Sequence, residues 1–150
     1  MTASPKRNRH QIAFLIPIII TITAGTASAQ TPFRLIEATV DGIHGELRAG
    51  RLSCTQLVQA YLDRIKAYDQ AGPKINSVQN INIGALKQAA ELDARMQASG
   101  TLAGPLRCIP VLVKDQFDTS FMPTTYGSAL VKTFVPEPSY AVFARVQAGG

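Results

Sequence analysis

Lys114 closes the run Ile109-Pro110-Val111-Leu112-Val113-Lys114-Asp115. The run is apolar at odd and even positions alike, the pattern of a β-strand covered on both faces. Pro110 then falls near the strand's start, where its missing N–H costs a ladder least. Two chemistries are open to a lysine at the end of such a strand. Burial disfavours the ammonium, and an amine held neutral is a proton acceptor near neutral pH. Alternatively the long stem carries the ammonium to water, or Asp115 or Asp118 neutralises it. On burial pattern alone the second role is the commoner one.

Other residues able to do chemistry form weaker patterns. Asp115 and Asp118 resemble a carboxylate pair, but three-residue spacing off a strand end does not hold both on one face. No His/Cys cluster accompanies them, so structural pairing or turn capping is expected. Cys54 and Cys108 permit one disulfide or two buried free thiols. The separation of their Cα atoms decides between these, and sequence does not supply it. His44 is the only histidine beyond residue 29. It lies in Gly42-Ile43-His44-Gly45, read as an exposed helical turn rather than as half of a Cys–His pair. Ser128 follows Gly127 and is read as a turn residue, not a nucleophile. No Gly-rich phosphate loop occurs, and no metal or organic cofactor is expected.

These residues need elements to position them. Leu35, Ile36, Val40, Ile43 and Leu47 recur at helical spacing, which predicts a helix over 35–49 with a break near Gly42 and a C-cap at Gly50. Ser53 and Gln56 form a capping box that opens the next helix. Its apolar stripe runs through Leu57, Tyr61, Ile65 and Tyr68, and Ala71-Gly72-Pro73 closes it. Residues 75–81 alternate imperfectly and read as a short strand. Residues 85–98 are rich in strong helix formers and read as the clearest helix. Asp93 falls on its apolar face, where a carboxylate needs a partner. Gly100 and Gly104-Pro105 release the chain into the lysine strand. Ser139 caps a last helix carrying Val142, Phe143 and Val146.

The chain has 150 residues, 46% hydrophobic and 17% charged, enough for one modest core. Three of the basic residues behind its +5 charge, Lys6, Arg7 and Arg9, lie in the first ten positions. The other basic residues are scattered, which argues against a nucleic-acid-binding module. Residues 1–29 have the three parts of a signal peptide: that basic start, an apolar run over 12–24, and Ala27-Ser28-Ala29 as a cleavage site. Gln30 would then begin the mature chain. The apolar run is short for a membrane span, so no stable anchor is expected and the protein reads as exported, periplasmic or extracellular. Export places both cysteines in an oxidising compartment.

The segment Gly104-Pro105-Leu106-Arg107-Cys108-Ile109-Pro110-Val111-Leu112-Val113-Lys114-Asp115-Gln116-Phe117-Asp118-Thr119 resembles the amidase signature family, which typically reads G-P-L-H-G-I-P-V-L-V-K-D-N-x-D-T there. The likeness runs on through Met122-Pro123-Thr124-Thr125-Tyr126-Gly127-Ser128 and covers residues 35–150 in order. Arg107 replaces the usual His, Cys108 the common Gly and Gln116 the common Asn. The resemblance implies an α/β fold, a mixed sheet surrounded by helices with the lysine strand central. Residues 30–150 would form the N-terminal part of that domain, the C-terminal part of the fold being missing.

The resemblance also implies an activity: hydrolysis of a carboxylic amide through an acyl-serine intermediate by a Ser–cis-Ser–Lys triad, with Lys114 as base. Both serines of that pattern lie downstream in a Gly/Ser-rich stretch, which the run ending at Gly149-Gly150 does not reach. Lys114 is therefore the one triad member assigned, and the 150-residue piece alone is expected to be inactive. The implied partner is a small-molecule or peptide-like amide. The rival reading is a non-catalytic amidase-like protein that keeps the fold for binding. The acyl pocket, the amide's identity and the oligomeric state are not legible.

Overall fold

The computed structural model of the protein describes residues 33–137 and 140–150. The expected signal peptide over 1–29 and the expected Ser139 cap lie outside the described residues. Four α-helices order the described residues: α1 Val40–Arg48, α2 Cys54–Arg64, α3 Ala85–Ser99 and α4 Ala141–Ala148. Among the described residues no β-strand forms. None of the described helices is long and apolar enough to cross a membrane.

α1 begins five residues later than its apolar periodicity suggests. Thr39 caps it, its Oγ1 accepting the Gly42 N–H at 3.1 Å. Gly42 thus lies in a capped first turn, and the expected break does not occur. The C-terminus follows expectation. Gly50 turns left-handed at φ +66, its N–H on the Leu47 carbonyl and that of Arg51 on the Glu46 carbonyl. This is a Schellman closure, which satisfies two of the helix's orphan carbonyls.

The start of α2 is densely bonded. The Ser53–Gln56 capping box is present in both directions, at 3.1 and 2.9 Å. Asp93 of α3 completes the cap. Its carboxylate accepts the Cys54 N–H at 2.7 Å, the Thr55 N–H at 3.0 Å and the Thr55 hydroxyl at 2.6 Å. The first three N–H groups of α2 therefore all have side-chain acceptors, and the carboxylate sits at the positive end of the helix dipole. This is the partner that Asp93 on an apolar face required.

The far end of α2 departs from a plain helix. Residues Ile65–Gln70 continue as a π-helix. The wider turn shifts the register, which leaves Tyr68 half exposed under the Arg64 guanidinium, 4.8 Å from its ring centroid. Asp69 at this end is buried. It accepts the Ser77 N–H and hydroxyl, each at 2.6 Å, and the Val78 N–H at 3.2 Å. These bonds use the donors a strand ladder needs. Lys74 and Asn76 also take positive φ, +52 and +53, so residues 75–81 form an irregular loop and not the expected short strand.

The core lies where α1, α2 and α3 meet the chain before Lys114. Ile43, Leu47, Cys54, Leu57, Ala89 and Cys108 are buried, with Phe33, Leu35, Tyr61, Leu92, Met96, Leu102 and Ile109 packed around them. Cys54 and Cys108 are joined in a disulfide with Cα atoms 5.2 Å apart, which resolves the open choice in favour of pairing. It closes 54 residues of chain, worth about 4 kcal/mol by the loop-entropy account. His44 is buried, contrary to its expected exposed turn. Its Nε2–H donates to the Arg107 carbonyl at 2.9 Å, because that face of α1 packs on the segment leading to Lys114.

The lysine segment itself is extended but unpaired. Val111 is 48% and Leu112 81% exposed, so the expected two-sided burial is not found. Among the described residues no neighbouring strand offers a ladder, and an apolar run without one stays open to solvent.

The cap on α2 makes a stability prediction. Asp93→Ala should destabilise the protein by about 2 kcal/mol, since it leaves two N–H groups and a hydroxyl without their charged acceptor. Asp93→Asn should cost less, because one amide oxygen still reaches the helix end. Urea unfolding measures both. A loss for Asp93→Ala no larger than that of an exposed control would show that the cap is idle.

Candidate active site around Lys114

Lys114 ends the extended segment, exposed, and its carbonyl accepts the Phe117 N–H at 2.9 Å in a turn that reverses the chain. Both carboxylates expected to neutralise it are engaged elsewhere. Asp115 accepts the Thr125 N–H at 3.0 Å, the Thr125 hydroxyl at 2.5 Å and the Gly127 N–H at 3.2 Å. Asp118 accepts the Tyr126 hydroxyl at 2.9 Å. Among the described residues no carboxylate lies within ion-pair distance of the Lys114 ammonium.

The turn that captures these carboxylates is Thr124–Ser128. Tyr126 and Gly127 both take positive φ, +51 and +74, and such a turn leaves N–H groups pointing to one side. Asp115 fills that concavity. The Thr125 hydroxyl and the N–H groups of Thr125 and Gly127 hold its carboxyl below the usual carboxylate range, with a smaller contribution from the Lys114 charge. The same bond that Asp118 accepts pushes the Tyr126 phenol upward. Gln79 and Asn80 brace the turn from the far side, through Thr125 at 3.3 Å and the Pro123 carbonyl at 3.3 Å.

Ser128 does what its position after glycine suggests. Its Oγ accepts the Leu130 N–H at 3.3 Å and caps the short 3₁₀ turn Ala129–Val131. α4 packs back on the loop after Lys114. Phe121 meets Phe143 at 5.6 Å between centroids, Phe117 meets Tyr140 edge-on at 5.5 Å, and the Asp118 carbonyl accepts the Tyr140 N–H. Among the described residues no three His, Cys, Asp or Glu side chains converge as a metal site.

The structure thus brings Lys114, Asp115 and Asp118 into one loop cluster with Thr125 and Tyr126. Sequence reasoning left Thr125 and Tyr126 without a role. The available signal was the pair of acidic residues directly after an apolar run, followed by a Thr-Tyr-Gly turn ten residues on. With the fold and this cluster defined, similarity to known proteins becomes informative. Residues 56–150 match the amidase family.

The chain belongs to the amidase family. It is 40% identical over 117 residues to a Schizosaccharomyces pombe protein whose name classes it as an amidase, covering 77% of this chain and 19% of that one. It is 33% identical over 117 residues to one of the subunits of the Acidothermus cellulolyticus glutamyl-tRNA(Gln) amidotransferase, covering 77% of this chain and 22% of that one. The solved structure of native peptide amidase from Stenotrophomonas maltophilia superposes with a TM-score of 0.73 at 39% identity, covering 79% of this chain and 24% of that one. The chain has the amidase-signature fold of these neighbours and spans about a fifth of the length of its curated relatives.

The depressed Asp115 carboxyl gives a pH prediction. Its folded value lies below that of the unfolded chain, near 3.9. Between the two values the unfolded state binds the extra proton, so stability rises with pH there. The contribution is complete above the unfolded value and disappears as pH falls through the folded one. Asp69, held by Ser77 and Val78, acts in the same direction. Thermal melts from about pH 6 to pH 2 should show Tm falling below about pH 4, with a shallower fall in Asp115→Asn. Identical slopes for wild type and variant would remove Asp115 from the acid transition.

Proposed function

We propose that the protein is an amide hydrolase working through an acyl-serine intermediate, with Lys114 as the base that drives it. Family membership supports amide chemistry, and the peptide amidase neighbour favours a peptide-like amide as substrate. The observation that carries the assignment of Lys114 is the commitment of Asp115 and Asp118 to the Thr125–Gly127 turn. With its adjacent carboxylates engaged elsewhere, the Lys114 side chain is tied into no ion pair among the described residues and can meet a partner group.

In this mechanism neutral Lys114 takes a proton, relayed by a serine held at a cis peptide bond, from a second serine. The nucleophilic oxygen attacks the amide carbon, and backbone N–H groups hold the oxyanion. Collapse expels the amine, which takes the proton back from the Lys114 ammonium. Water then cleaves the acyl ester with Lys114 again as base. The two serines belong to a part of the domain beyond residue 150. In the complete domain the exposed apolar run 109–113 is a strand of a mixed sheet, which explains why Val111 and Leu112 are apolar on opposite sides.

The reading extends to location. The protein is exported, with residues 1–29 as its signal peptide, and the Cys54–Cys108 disulfide supports an oxidising compartment. Mass spectrometry of the extracytoplasmic fraction should find Gln30 as the first residue. A mature chain that keeps Lys6 to Arg9 would mean that the segment is an anchor.

Lys114→Ala in the complete protein should lower kcat/KM by at least about 10²-fold, the lower end of general-base contributions. Lys114→Arg should lose as much, because arginine keeps its charge but cannot release its proton at working pH. Melting curves establish that each variant folds. Near-wild-type turnover in Lys114→Arg would make Lys114 a structural cation. Absence of any amide turnover in the wild-type protein would favour the non-catalytic binding protein.

A further inference from the structure

The segment that delivers Lys114 starts from the turn Leu106–Ile109, in which the Ile109 N–H donates to the Leu106 carbonyl at 3.0 Å. Cys108 is the third residue of this turn and takes φ +63. A turn with positive φ at that position calls for glycine, since any Cβ there crowds the following carbonyl. Such a conformation persists in another residue only where the surroundings impose it.

Three bonds tie the turn to the helices. The Leu106 N–H donates to the Gly149 carbonyl at the end of α4, at 2.9 Å. The Arg107 carbonyl accepts from His44 of α1. The disulfide ties Cys108 to Cys54. Only the last acts at the residue whose conformation is costly. Its other end is the first residue of α2, fully buried, with its N–H held by the Asp93 carboxylate. The anchor is therefore fixed by α2 and α3 together, and only five residues separate Cys108 from Lys114.

We propose that the Cys54–Cys108 disulfide is the positioning device for Lys114, holding residue 108 left-handed by a covalent tether where a glycine would do so through its conformational freedom. The extended run then leaves the turn in one direction, and the amine arrives at one place. The claim rests on the reading of Lys114 as the base. Cys54 and Cys108 are positioning residues and touch no reacting atom.

The test uses the complete protein in three forms: wild type, Cys54→Ala, and Cys54→Ala with Cys108→Gly. Two experiments are run on each form: steady-state kinetics on a peptide amide, which gives kcat and KM, and hydrogen exchange of the 111–115 amides. Cys54→Ala removes the tether but leaves a side chain at the left-handed position. It should lower kcat by about tenfold or more through displacement of the base, with KM within about twofold of wild type. It should also speed exchange over 111–115. The double variant lacks the tether too, but glycine adopts the conformation unaided. It should recover most of the lost kcat and slow exchange again, although its melting temperature stays low.

A general stabiliser would give another pattern. Both variants would then lose melting temperature, and kcat would not separate them; that result overturns the proposal, as does wild-type kcat and exchange in folded Cys54→Ala. If neither variant folds, wild type is treated with dithiothreitol, which is oxidised to its cyclic disulfide as the bond becomes two thiols. Alkylation mass spectrometry counts those thiols. Folded, reduced protein should show the same loss of kcat and faster 111–115 exchange, both reversed on reoxidation. Full activity in that state, or a bond that cannot be reduced without global unfolding, overturns the proposal. Should Lys114 prove not to be the base, exchange over 111–115 still tests the tether by itself.

Discussion

The Asp93 carboxylate at the start of α2 is the interaction on which the rest depends. It accepts from both N–H groups that the capping box leaves over, and in doing so joins α2 to α3 at a fixed point. The first residue it holds is Cys54, and Cys54 carries the disulfide to the turn before the lysine segment. An unpartnered carboxylate on a helix's apolar face would be costly, and here three donors converge on it. A helix dipole, a cap and a covalent bond thus meet within three residues. The path from this point to Lys114 passes through packed or bonded residues until Ile109, beyond which the chain is extended and open.

The second organising fact is a division of labour among charges. Asp115 is next to Lys114 in sequence, and an ion pair between them is the simplest expectation. The Thr125 hydroxyl and the N–H groups of Thr125 and Gly127 compete successfully for Asp115, because three converging donors outweigh one flexible ammonium in water. The carboxylate therefore works as a turn cap. Lys114 keeps its freedom, and the loop that follows it is fixed against α4 by two aromatic contacts. A site that must present an amine to a partner group gains from an arrangement in which nearby carboxylates stabilise the walls.

Much of this was legible in the residues. The Ser53–Gln56 box, the Gly50 cap and the helix over 85–98 are local rules, and each is satisfied within a few residues of chain. The partner demanded by Asp93 was legible as a need but not as an identity, since Cys54 lies 39 positions away. The disulfide and the burial of His44 depend on tertiary proximity, which periodicity does not carry. The expected strand over 75–81 failed for a different reason. Asp69 takes the backbone donors of Ser77 and Val78, and a side chain eight residues back is invisible to an alternation pattern. The lysine segment shows the opposite limit. Its apolar run predicts a two-sided burial that the described residues do not supply.

A crystal structure of the complete protein tests the central claim most directly, through the position of one atom. The account predicts Lys114 Nζ within hydrogen-bond distance, about 2.6–3.2 Å, of a serine Oγ, with the Asp115 carboxylate still on Thr125 and Gly127. An ammonium found paired with Asp115 or Asp118, with no serine oxygen in reach, would contradict it.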